Sequence, residues 1–132
     1  MTLQEIHQRF FSFRNGIVAK AFHDAGAPYK RVFGLQLPQL SDIARETGHD
    51  PALARELWNE RECREARLLA CYLFNPELLT EDDAIAMAHG IQTREEADIL
   101  AWRLLSRTPY ATELAGRLDG YIAVALNRSL NH

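Results

Sequence analysis

Lysine is nearly missing from this chain: Lys20 and Lys30 are the only two among 15 basic residues, and the other 13 are arginine. Arginine suits bidentate recognition of carboxylate or phosphate better than lysine does. The same bias arises from genomic base composition, so alone it names no partner. A surplus of positive charge is missing too. The 15 basic and 18 acidic residues give a formal charge of −3 and a pI near 5.9. That weighs against strong non-specific nucleic-acid binding while leaving room for a local basic face. Cysteine is reduced to Cys63 and Cys71. On one shared helix they stand about 12 Å apart along the axis, beyond the ~7 Å Cα separation a disulfide tolerates. Two inert, buried thiols in a reducing compartment are expected.

Long apolar runs are also lacking. The best is Leu68–Phe74, far short of the ~20 residues a membrane span needs. Met1–Glu5 has no basic stretch leading into an apolar one, so the expectation is a cytoplasmic protein with no membrane partner. His7, His23, His49, His89 and His132 are scattered, without a His-Glu-x-x-His or Cys/His cluster, so no metal site is expected. Neither a glycine-rich phosphate loop nor a Gly-x-Ser-x-Gly elbow occurs, and no cofactor is implied.

Helical signals fill the space these absences leave. At 47% hydrophobic and 25% charged residues the 132-residue chain is an ordinary globular sequence, long enough for one domain with its own core. Leu3, Ile6, Phe10, Phe13, Ile17, Ala21 and Phe22 recur at helical spacing, predicting one long first helix weakened at Asn15-Gly16. Pro38 to Gly48 bounds a second helix, and Asp50-Pro51 reads as a cap followed by a first helical residue. Thr2, Thr80 and Thr93 each precede an acidic residue three positions on, the capping-box pattern. Thr108-Pro109 repeats the cap-then-proline arrangement, and Gly90 and Gly120 read as stops. About seven helices result.

An internal repeat refines the class. Residues 63–74 align with 94–105, with Glu65/Glu96, Ala66/Ala97, Leu69/Leu100, Ala70/Ala101 and Leu73/Leu104 identical. Four of these pairs form one stripe at i, i+3, i+4 and i+7, the face a stacked helix buries. The repeat predicts an all-α helical solenoid.

The stretch Phe33-Gly34-Leu35-Gln36-Leu37-Pro38-Gln39-Leu40-Ser41-Asp42-Ile43-Ala44-Arg45, then Leu57-Trp58 with Arg64–Ala70, then Pro76–Glu81, resembles the AlkD-type DNA alkylation repair family. The likeness covers about residues 29–105, leaving 106–132 as a terminal cap of a single 1–132 domain. It implies a HEAT-like α-α superhelix and excision of N3- or N7-alkylated purines from DNA on a concave basic face. It also implies a Trp and an Asp four residues apart at a helix start, with further Arg and Trp residues later in the chain. The matching positions are Arg94 and Asp98: the Asp is present, Arg stands in place of Trp, and the later residues are expected to lie beyond this sequence.

The residues themselves leave two readings at each position. Asp98 can stabilise oxocarbenium charge on a sugar. It can equally pair with Arg94, one turn away, and with Arg67, its repeat equivalent. Trp102 and Trp58 can stack on bases, at ~1–3 kcal/mol each, or fill a core or an interface. Arg61, Arg64, Arg67, Arg94, Arg103 and Arg107 can contact phosphates. Interleaved with Glu60, Glu62, Glu65, Glu95 and Glu96, they can also form a solvated, paired surface. Leu114, Leu118, Tyr121, Ile122, Val124 and Leu126 supply a terminal cap or a homodimer interface. Two functions follow. One is a reduced family member that binds double-stranded or damaged DNA through Arg64, Arg67, Arg94, Arg103 and Trp102. Excision in that case is weak or absent, and Asp98 is catalytic only where activity persists. The other is a non-catalytic protein-interaction or dimerising module.

Overall fold

The computed structural model describes residues 1–132, and all regular structure in it is helical. The chain forms two compact units, Met1–Leu73 and Phe74–His132. The first holds α1 (Leu3–Ser12), α2 (Gly16–Asp24), α3 (Leu37–Thr47), α4 (Pro51–Trp58) and α5 (Arg64–Leu73). The second holds α6 (Glu81–His89), α7 (Arg94–Arg103), a 3-10 turn at Leu105–Arg107, α8 (Ala111–Arg117) and α9 (Tyr121–Leu130).

Nine α-helices replace the expected seven: the first predicted helix is two, and α9 follows Gly120, where the sequence reads as a stop. Asn15 does more than weaken it. Its side chain accepts from the amides of Ile17 and Val18 and so caps α2, while its own amide donates to the Phe33 carbonyl at 2.7 Å. The loop that closes on this corner passes through Gly34 at φ +89°, where a Cβ would collide with the Asn15 carbonyl oxygen. Only glycine suits both demands. The caps at Thr2, Asp50, Thr80 and Thr93 form as their spacing predicts. Thr108-Pro109 does not start a helix: the Thr108 hydroxyl donates to the Leu105 carbonyl and closes the 3-10 turn, and α8 begins at Ala111. Gly120 is a start rather than a stop, turning the chain into α9 at φ +74°.

The repeated stripe is the core of each unit. Ala66, Leu69, Ala70 and Leu73 on α5, and Ala97, Leu100, Ala101 and Leu104 at the matching positions, are all fully buried. Each such leucine contributes roughly 1.5–3 kcal/mol through removal from water. The alanines let α4 and α3 approach α5, and α9 approach α7. Leu114, Leu118, Ile122 and Leu126 are buried within the second unit's fold, whereas Val124 is half exposed.

Helix α5 is buried around nearly its whole circumference, charged residues included. Glu65 is fully buried; one oxygen accepts from the Phe33 amide at 2.9 Å, and the other from the Gly34 and Leu35 amides at 3.1 and 3.3 Å. Arg64 completes the cluster, donating to the same carboxylate at 2.7 Å and to the Leu35 carbonyl at 2.8 Å. Its guanidinium also lies over the Phe22 ring. A buried carboxylate with every bond satisfied ties an irregular loop to a core helix. This corrects the expectation of a solvated acidic surface at Glu65 and at Glu96, which is equally buried and accepts from the Gln92 amide at 3.1 Å.

Candidate nucleic-acid interface

On α7, the i, i+4, i+8 spacing sets Arg94, Asp98 and Trp102 along one flank of the buried stripe. Helix α9 packs beside α7. Its own face at 121, 125, 128–129 and 132 repeats at three- and four-residue steps, so it meets that flank along its length. Between the two lies a cleft of about 280 Å³ lined by Asp98, Trp102, Ala125, Arg128, Ser129 and His132.

The cleft has one anionic group, cationic groups around it and an aromatic wall. The Tyr121 hydroxyl donates to Asp98 Oδ1 at 2.8 Å, and the Arg94 guanidinium lies 4.7 Å from the centre of the Tyr121 ring. Arg94 and Asp98 therefore do not form the expected ion pair; Tyr121 engages each of them. Arg67 and Asp98 fall in different units, and each has a partner inside its own. Arg94 and Arg128 are exposed and have no carboxylate partner. Trp102 is 40% exposed, with the His132 ring edge-on at 5.3 Å. A core position for Trp102 is thereby corrected, while Trp58 does lie in the core.

The predicted DNA-contact residues separate by burial. Arg94 and Trp102 face solvent, and Arg103 is partly exposed at the end of α7, outside the cleft lining. Arg64 and Arg67 are each only 2% exposed. Arg67 donates to the Trp58 carbonyl at 2.7 Å and lies 3.4 Å over the Trp58 ring. Guanidinium groups spent in this way brace the first unit and are shielded from solvent, unlike those of Arg94 and Arg103. Tyr121, Arg128, Ser129 and His132 were not anticipated as site residues; the only signal for them was the single-face spacing along α9.

The thiols sit apart from this chemistry. Cys63 precedes α5 rather than sharing a helix with Cys71, and both are free and buried. Burial pushes the Cys63 thiol up to about 11, so it is protonated and unreactive near neutrality. No three His, Cys, Asp or Glu side chains converge to hold a metal ion, and no helix is long and apolar enough to cross a membrane.

Residues 6–119 match the family model described as DNA alkylation repair enzyme. The sequence matches no curated protein. It does match a solved structure described as "a new family of proteins related to the HEAT-like repeat DNA glycosylases with affinity for branched DNA structures". The superposition has a TM-score of 0.85 at 21% identity, covering 99% of this chain. The chain spans 56% of the length of that relative. The likeness shows the fold: an all-α, HEAT-like repeat structure, as the internal repeat predicts.

Proposed function

The chain belongs to the DNA alkylation repair enzyme family, and on that premise we propose that it binds DNA at the α7–α9 cleft, with weak or no excision of alkylated purines. The observation that carries this reading is the convergence of Asp98, Trp102 and Arg128 on one open cleft, with Arg94 beside it. Arg94 and Arg128, free of carboxylates, are available to phosphate oxygens as charge-assisted donors. Trp102 presents a ring on which an unstacked base can lie. Such a base is most accessible at a branch point or opposite an abasic site, where no base pair must be broken first. The affinity for branched DNA described for the structural relative is in keeping with this.

Arg94 also accounts for weak excision. An aromatic ring at that position attracts a positively charged alkylpurine through its π-face, whereas a guanidinium repels it. Asp98 can still stabilise positive charge on a sugar, but the leaving base is not held.

The test is equilibrium binding to a plain duplex, a duplex with an abasic analogue and a four-way junction, across a salt series, followed by an excision assay on N7-methylguanine DNA. The expected result is tighter binding to the junction or abasic duplex, weakening log-linearly with salt, with excision no faster than in Asp98→Asn. Failure to bind any of the three at low salt would remove the DNA reading and leave the interaction-module reading. Rapid excision abolished by Asp98→Asn would instead show a full glycosylase.

A further inference from the structure

Arg94 and Asp98 are opposite charges one helical turn apart, an arrangement that ordinarily closes into an ion pair. Elsewhere in this molecule it does: Lys20 and Asp24, with the same order and spacing on α2, meet at 2.6 Å. On α7 the pair stays open. Both members are engaged by one side chain from another helix, the Tyr121 hydroxyl taking the carboxylate at 2.8 Å and the Tyr121 ring face taking the guanidinium at 4.7 Å.

We propose that Tyr121 is the positioning residue of the cleft, holding Asp98 and Arg94 apart so that the carboxylate faces the cleft and the guanidinium stays free for a phosphate. Asp98 Oδ1 accepts the phenol proton, leaving Oδ2 with its lone pairs for a ligand. The ring of Tyr121 is within cation–π range of Arg94 and satisfies the cation without neutralising it. Closure of the ion pair would remove one anion from the cleft and one cation from its rim together. Tyr121 reaches this position because it is the first residue of α9, which starts at the left-handed Gly120. A tyrosine that served only to pack against α7 would have no need of its hydroxyl.

The functional part of this inference rests on the DNA reading; the geometric part does not. In Tyr121→Phe the ring remains and the hydroxyl is lost, so Asp98 is free to close on Arg94. Junction affinity should then fall severalfold, and the slope of log K against log salt should drop by about one phosphate contact, matching Arg94→Ala. The double variant Tyr121→Phe/Asp98→Asn should recover affinity and slope, because an amide no longer sequesters Arg94. A packing role would give no such rescue, and absence of rescue overturns the proposal. A readout without DNA separates the two layers. In the Tyr121→Phe background the Asp98 carboxyl carbon resonance should move when Arg94→Ala is added, whereas Arg94→Ala in the wild-type background should leave it nearly in place. An unmoved resonance overturns the positioning role even if DNA binds, whereas a moved resonance in a protein that binds no DNA overturns only the DNA reading.

Discussion

Helices α5 and α7 occupy matching places in the repeat, and their differences mark out the site. Where the two agree, they build scaffold: the Ala/Leu stripe is fully buried in both, and Glu65 and Glu96 are both buried and accept loop amides. Where they diverge, the same i, i+4, i+8 flank has opposite fates. On the α5 side it reads Cys63, Arg67, Cys71, exposed by only 1, 2 and 1%. In α7 it reads Arg94, Asp98, Trp102: Arg94 is exposed, and Asp98 and Trp102 line a cleft. The flank of one repeat is sealed by internal bonds, such as Arg67 to Trp58 and the Cys71 thiol to the Arg67 carbonyl. The flank of the other is kept open by Tyr121. Repeat identity thus reports packing, and repeat divergence reports the place where chemistry is possible. Charge alone would have misled. The second unit contains five basic and nine acidic residues, a formal charge of −4, yet Arg128 lines its cleft and Arg94 lies beside it, neither with a carboxylate partner.

The sharpest way to break this comparison is a stability ladder read by urea denaturation. Glu65→Ala strips partners from three loop amides and from the buried Arg64, and should cost ~3–5 kcal/mol. Arg67→Ala orphans the Trp58 carbonyl and empties the space beneath the indole, at ~2–4 kcal/mol. Asp98→Asn, at the position equivalent to Arg67, keeps its shape and an acceptor for Tyr121 and should stay within ~0.5 kcal/mol of wild type. Equal losses for the last two would end the distinction between a sealed and an open flank.

A smaller effect follows from pH. The Cys63 thiol, raised from an ordinary 9.0 to about 11 by burial, stays protonated in the folded state while the unfolded state ionises first. Its contribution is therefore complete below pH 9 and lost as pH rises through about 11, to a limit of ~2–3 kcal/mol. Cys63→Ser should abolish that part of the alkaline decline in stability, and an unchanged decline would show that the thiol is not sealed.

Much of this is legible in the sequence. The caps at Thr2, Asp50, Thr80 and Thr93 are local chemistry, and the buried stripe is a local period, so both are written in neighbouring residues. Asp98 and Trp102 stood out because they flank that period. What the sequence did not disclose depends on backbone groups and on distant helices. Glu65 and Arg64 read as surface charges because their partners are loop amides and a carbonyl, which carry no residue signature. The break at Asn15 reads in the sequence as no more than a weak spot because the Gly34 loop that locks it arrives from outside the helix. Tyr121 lies 23 residues from Asp98, and no short-range pattern links a helix start to a flank one repeat away.

The most direct measurement of the central claim is intrinsic tryptophan fluorescence during titration with a four-way DNA junction, with Trp102→Phe as the control. Trp58 is buried and Trp102 is 40% exposed in the cleft, so the account predicts saturable quenching that disappears in Trp102→Phe. Binding seen by anisotropy with no change at Trp102 would contradict it, placing the DNA on some other face.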